Sequence, residues 1–303
     1  MNTRLPTSPT NLQACLEWVE NQLEQNDLFF GHGTDNAFDE AVWLTLHAAG
    51  LDVGSFSDEW ETEINASQLD NIQALLQQRI ETRKPLAYLI NQAWFAGDEF
   101  YVDERVIVPR SHLGEWIPEQ FEPWIDSTSI NNALDLCCGG GCIAIALAKA
   151  FPDTHVDACD LSKDALDVAR INVQKHDVAQ RLNLIESDLF DAIKNKRYDL
   201  IVSNPPYVDL QTLSAMPDEY QHEPSMAFAS GDDGLELIER ILQQARHFLN
   251  DNSHLIVETG IAARMVEQRY PDVPFTWLTS TNGDSVIFLL SSSELDEYAE
   301  RLV

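Results

Sequence analysis

Apolar residues recur at three- and four-residue steps early in the chain and fall into short runs separated by turns later. Over residues 11–27, Leu12, Leu16, Val19 and Leu23 lie on one helical face. A second such segment covers residues 39–49. A third begins near Ser67, carries Leu69, Ile72, Leu75, Leu76 and Ile80, and has to end before Pro85, which disfavours helical geometry in its predecessor. Residues 1–88 therefore read as a small helical domain. The texture then changes: "AWFAGDEFYVDERVIVPRS" is aromatic and β-branched around a Gly-Asp turn, which predicts a β-hairpin linker over residues 89–115.

From residue 116 to 303 short apolar strands alternate with amphipathic helices. The strands are "ALDLC", "HVDACD", "LNLIES", "YDLIVS", "HLIVETG", "FTWLT" and "SVIFLLS", with helices over 141–151, 163–176 and 233–249. This alternation predicts an α/β domain with a mostly parallel sheet covered on both faces. The last two strands flank an Asn-Gly-Asp turn, which places an antiparallel strand in that sheet. Ligands of such sheets bind at the carboxyl ends of the strands.

Charge and composition narrow the classes. The chain has 303 residues, 44% of them hydrophobic, enough for a packed core. Nineteen Lys and Arg stand against 50 Asp and Glu, a net charge of −31 that repels polyanions and suits a basic partner. Direct DNA binding is not expected. No run approaches the ~18 apolar residues of a membrane span, and the opening "MNTRLPTSPTNLQ" lacks the apolar core of a secretory signal. The five cysteines are odd in number and lack framework spacing, as in a reducing cytosol.

"LDLCCGGGCIA" follows a strand and opens a helix, so Gly139 and Gly141 sit where backbone passes close to a ligand. Gly139, Gly141 and Ala144 also fit the dinucleotide fingerprint, with Asp160 ending the next strand at a spacing suited to ribose hydroxyls. The loop alone does not separate NAD from S-adenosylmethionine. Asp135 favours the latter, whose methionine end is cationic, whereas it would repel a pyrophosphate. Asp188, ending the third strand in "ESDLF", is placed to accept from an adenine amino group, although a helix cap or solvated carboxylate accounts for it equally well. Cys137, Cys138 and Cys142 lack metal-ligand spacing and read as small residues in a crowded loop; no metal is expected.

"SNPPYVD" ends the fourth strand. Pro206 restricts Pro205 to extended geometry, so the turn is rigid and poor in donors. An amide or aniline-like nitrogen is a weak nucleophile and has to be held by acceptors on both N–H groups. The Asn204 side chain and the Pro205 backbone offer two carbonyls, and Tyr207 can stack on a planar group. Orientation of this kind is worth about 7–11 kcal/mol in an ideally aligned pair.

"NPPY" together with "LDLCCGGGCIA", "VDACDLS" and "HEPSMAFASGDDG" resembles the bacterial protein glutamine methyltransferases, which use S-adenosylmethionine, and the resemblance runs through nearly the whole chain. It implies an N-terminal helical substrate-recognition domain, a β-hairpin linker and a Rossmann-like, seven-stranded methyltransferase domain. It further implies that Asp135, Cys137, Gly139, Gly141, Asp160, Leu161, Asp188 and Leu189 bind the cofactor and that Asn204, Pro205, Pro206 and Tyr207 hold the glutamine. One branch of that family modifies the Gly-Gly-Gln glutamine of peptide release factors, the other a glutamine of large-subunit ribosomal protein three. "GHGTDNAFDEAVWL", "AYLINQAWFAGDEFYVDERVIVPRS" and "YPDVPFTWL" resemble the ribosomal-protein branch, and "RSHLGE" replaces the Arg-Pro-x-Thr-Glu stretch usual in the other. His112, Cys138 and Gly140 depart from the usual residues of the ribosomal-protein branch. The expected activity is methylation of a glutamine amide on a basic large-subunit ribosomal protein in the cytoplasm. The alternatives are release-factor methylation, adenine methylation of DNA, a non-catalytic assembly factor and, resting on the glycine loop only, a dehydrogenase. By the resemblance "GHGTDN" is a candidate docking element for the protein substrate, but a glycine-flanked turn with an incidental His32 is the favoured reading; the "HEP" segment, His222 to Pro224, reads as packing against the active-site loop.

Overall fold

The computed structural model describes residues 6–7, 10–51 and 60–302, so part of the opening stretch read above as lacking a secretory core lies outside the described residues. The chain divides into two units, one of Met1–Ala93 with Pro217–His222, the other of Trp94–Met216 with Glu223–Val303.

The first unit is built on helices Leu12–Gln25, Ala37–Ala49, Ala66–Thr82 and Leu86–Ile90. Asn11, Asn36 and Asn65 cap the first three, each side chain accepting from a backbone amide in the first turn, and Gln68 completes a capping box with Asn65. Leu12, Leu16, Val19 and Leu23 are all buried, as their spacing predicts. At the centre Arg79, 1% exposed, bonds to Glu40 at 2.7 Å and to the Phe29 carbonyl at 3.1 Å. Burial pushes the Glu40 carboxyl up, and Arg79 pulls it back. The returning segment Pro217–His222 brings Glu219, which accepts from the Phe29 amide at 3.0 Å and pairs with Arg83 at 2.8 Å. His32 is buried with its ring 4.5 Å from that of Tyr220, an aromatic packing partner within this unit.

The second unit carries a seven-stranded sheet. Its strands are β1 (Asn132–Leu136), β2 (His155–Asp160), β3 (Leu182–Glu186), β4 (Tyr198–Ser203), β5 (Leu249–Glu258), β6 (Thr276–Thr279) and β7 (Ser285–Ser291), in the order β6-β7-β5-β4-β1-β2-β3. β7 runs antiparallel to both its neighbours, as the Asn-Gly-Asp turn predicts. Helices Cys142–Ala150 and Lys163–Lys175 connect β1 to β2 and β2 to β3. Apolar side chains fill both faces: Ala133, Ile145, Leu147 and Val202 belong to one core, Leu134, Ile201, Ile238 and Leu255 to the other.

Two differences from the periodicity stand out. The expected helix over 233–249 is α-helical only at Glu236–Gln244, tightens into a 3-10 turn at Ala245–Phe248, and yields to β5 at Leu249. Leu249 pairs with Tyr198 and its carbonyl accepts from Arg197 at 2.7 Å, so sheet pairing overrides helical propensity there. The hairpin is also short, Ala93–Phe95 against Asp98–Phe100, and residues 101–111 follow as irregular chain.

Candidate active site

The strand order reverses between β1 and β4, whose parallel register sets Leu136 beside Ser203. The Ser203 hydroxyl donates to the Leu136 carbonyl at 2.8 Å. The glycine loop after β1 and the Asn-Pro-Pro-Tyr turn after β4 consequently leave the sheet side by side, at the switch point where open α/β sheets bind ligands.

Gly139 has φ +51°, and a Cβ built there would meet nothing within 4 Å, so its backbone faces open space in the cleft. Its amide donates to Asp160 Oδ2 at 2.8 Å, and the Ser162 amide donates to Oδ1 at 2.8 Å. Burial raises the Asp160 carboxyl and these amides pull it down. Asn172, 1% exposed, donates to the Gly140 carbonyl at 2.9 Å and so fixes the loop from below. Gly141 is buried as the N-cap of helix Cys142–Ala150.

Asp135 lies fully buried beneath the loop. Among the described residues, neither of its oxygens has a hydrogen bond of full geometry. Burial drives its carboxyl well above the usual range; the Ala144 amide lowers it and the charge of Asp160 raises it further. A buried carboxylate with so little hydrogen bonding is a costly arrangement, and a nearby cationic ligand group would relieve the cost. The bare backbone at Gly139 and the partly accessible Asp160 fit the ribose end of S-adenosylmethionine, and Asp135, behind the cleft wall, would offer its charge to the ammonium end.

The cleft is walled by Cys137, Gly139, Asp160, Leu161, Asp188 and Leu189, and on the turn side by Asn204 and Pro206. Leu161 is 59% exposed, an apolar side chain left uncovered in the cleft wall. Asp188 is half-buried and its Oδ1 accepts from Arg240 at 2.9 Å. Asp135, Gly141, Pro205 and Tyr207 do not form the wall: Pro205 is buried, and the Tyr207 ring packs over Gly260. Burial raises the thiols of Cys137 and Cys138 well above their ordinary value and pushes Cys142 up to about 12. Among the described residues, no group of three or more His, Cys, Asp and Glu could hold a metal ion.

Several site residues escaped the sequence reading. The irregular stretch after the hairpin, through Val106, Ile107, Pro109, Arg110 and Ser111, forms one wall of the cleft. Two buried carboxylates hold it. Glu223 accepts from the Val108 amide at 2.8 Å and from both terminal nitrogens of Arg110, at 3.1 and 2.6 Å. Glu258, ending β5, accepts from the Ser111 hydroxyl at 2.5 Å, and burial raises its carboxyl while Ser111 and His112 lower it. The "HEP" segment thus splits: Glu223 grips the cleft wall, whereas His222 bonds to the Thr82 carbonyl at 3.0 Å in the first unit. Nothing in the acidic and polar run 218–223 singles out Glu223; for Asn172 the signal is a polar residue on the buried face of an amphipathic helix.

Comparison with known proteins matches residues 14–90 to the PrmC N-terminal domain family and residues 122–217 to the Methyltransferase small domain family. Over 287 residues, 94% of this chain, it is 44% identical to the ribosomal protein uL3 glutamine methyltransferase of Neisseria gonorrhoeae, 96% of which is covered. The protein of the same description from Neisseria meningitidis serogroup B is 43% identical over 94% of both chains. The likeness extends through both units, and the chain belongs to the family of ribosomal protein uL3 glutamine methyltransferases.

Proposed function

We propose that this protein methylates the side-chain amide nitrogen of a glutamine on the large-subunit ribosomal protein uL3, using S-adenosylmethionine, in the cytoplasm. The observation that carries the reading is the register of Leu136 with Ser203, which brings the glycine loop and the Asn-Pro-Pro-Tyr turn to one cleft. The substrate follows from the relatives' activity. A net charge of −31 suits a basic ribosomal protein.

S-adenosylmethionine supplies a methyl group made electrophilic by its sulfonium. Asp135 provides the counter-charge for the ammonium and Asp160 the acceptors for ribose hydroxyls. Asp188 would accept from the adenine amino group, Leu161 and Leu189 would be apolar walls, and the Cys137–Gly141 loop would complete the cofactor site. Asn204 Oδ1 and the Pro205 carbonyl accept the two N–H groups of the glutamine amide, Pro206 holds that carbonyl in its direction, and Tyr207 borders the entrance. The amide nitrogen would gain one methyl group, the sulfonium–methyl bond breaking with its electron pair left on a neutral thioether sulfur, and would lose one proton. That proton is acidic on the methylated nitrogen and leaves to water, so no strong base is needed. Most of the rate enhancement is orientation, worth about 7–11 kcal/mol at best. The helical unit is read as the part that recognises the protein substrate.

The test is labelled methyl transfer with uL3 and a peptide release factor offered in parallel and the modified residue located by mass spectrometry. Label on a uL3 glutamine, lost in Asn204→Ala while calorimetry still shows cofactor binding, is the expected result. Label on the release factor, on duplex DNA, or on nothing would overturn the reading.

A further inference from the structure

The turn that holds the glutamine is bordered by apolar side chains that the protein's own core leaves uncovered. A Cβ built on Gly260 would lie 2.3 Å from Tyr207 Cε2 and 2.4 Å from Cζ, so the Tyr207 ring rests directly on the backbone at Gly260. The next residue, Ile261, is 65% exposed. Ile261 lies in the 3-10 turn Gly260–Ala262, and Met265, 39% exposed, in the first turn of helix Ala263–Arg269 that continues from it. On the other side a Cβ on Gly234 would lie 2.5 Å from the Tyr207 carbonyl oxygen and 3.6 Å from the Asp209 amide. Leu235, adjoining Gly234, shares a groove with Met265, and Leu210, adjoining Asp209, is 55% exposed. Ile261 and Met265 thus follow the backbone on which the Tyr207 ring rests, and Leu210 follows Tyr207 by three residues in its own segment. The rim is charged, with Asp232, Arg264 and Glu267 exposed. An apolar centre with a charged rim is the anatomy of a protein interface.

Resting on the function proposed above, we infer that this ledge docks the residues of uL3 flanking the methylated glutamine, and that those residues present apolar side chains to Ile261 and Met265. The occupant follows from continuity: a polypeptide whose glutamine reaches Asn204 and Pro205 passes Tyr207, and the uncovered apolar surface begins beside that ring. A ledge of this kind confers affinity for the protein around the reacting amide, so it acts on substrate binding and leaves the chemical step and the cofactor cleft alone.

The experiment is steady-state methyl transfer to intact uL3 by wild type, Ile261→Ser, Met265→Ser, the double variant, and Ile171→Ser, which alters an exposed apolar residue on helix Lys163–Lys175. The double variant is expected to raise KM for uL3 by about tenfold or more, the effect of exposing one or two apolar side chains to water. Its kcat, its S-adenosylmethionine affinity and its unfolding midpoint should match wild type, and Ile171→Ser should match it throughout. Wild-type transfer to uL3 with an unchanged KM in the double variant overturns the ledge and leaves the proposed function standing. Failure of wild type to modify uL3 overturns both.

Discussion

Asn172 grips Gly140: its side-chain amide donates to the Gly140 carbonyl at 2.9 Å, from a position 1% exposed on helix Lys163–Lys175. The same side chain donates to the Tyr101 carbonyl at 3.0 Å and accepts the Tyr101 amide at 2.8 Å. One amide therefore ties the glycine loop to the chain that walls the cleft. Asn172→Ala leaves three backbone groups short of a partner and is expected to cost about 2–4 kcal/mol of stability, with weaker cofactor binding. Urea unfolding and calorimetry measure the two effects; Asn172→Asp should recover the acceptor but not the donors.

Gly260→Ala should silence transfer while sparing the cofactor site. At φ +47° a side chain is strained, and the added methyl would meet the Tyr207 ring at 2.3–2.4 Å. Tyr207 must move and the turn with it. A fall in kcat/KM of about a hundredfold or more, the scale of a small misplacement at a reacting centre, with an unaltered S-adenosylmethionine Kd, is the expected pattern. An equal loss of cofactor affinity would show that the effect spreads beyond the turn.

Asp135 links the cofactor site to pH. Because burial raises its carboxyl in the folded protein, the unfolded chain gives up its proton first as pH rises past about 4. Its contribution to stability therefore declines with rising pH and levels off above the folded value. Asp135→Asn should be more stable than wild type at neutral pH without cofactor, by a margin that shrinks toward pH 4, and should bind S-adenosylmethionine about tenfold or more weakly, 1.4 kcal/mol per decade. Thermal melts across pH, paired with calorimetry at pH 7, decide it.

Glu223→Ala removes the buried partner of Arg110 and the acceptor for the Val108 amide. Arg110 keeps some access to water, so the expected loss is about 2–4 kcal/mol, below the upper range for a fully buried pair. The cleft wall at residues 106–111 should loosen, which hydrogen exchange at those amides would report as faster exchange. Glu223→Gln, which keeps an acceptor for Val108, should lose less.

Local chemistry determined much of this protein. The three- and four-residue spacing of Leu12, Leu16, Val19 and Leu23, the period-two and continuous apolar runs of the strands, and the Asn-Gly-Asp turn before β7 are all properties of neighbouring residues, so helices, strands and the antiparallel edge could be read without coordinates. The rigid Asn-Pro-Pro-Tyr turn and the glycine loop are legible for the same reason, and their motifs pointed to the family that the relatives share. What the sequence left open depends on pairings between distant residues. The register of Leu136 with Ser203 joins the two motifs into one cleft. The isolation of Asp135 under the loop is a matter of what three-dimensional packing withholds from it. Glu223 and Glu258 reach the cleft wall across more than a hundred residues of chain, and Gly260 supports Tyr207 from the 3-10 turn after β5. Short-range steric and hydrophobic preferences act within a few residues and are written in the sequence, whereas strand order, burial and contacts of this length appear only when the sheet closes.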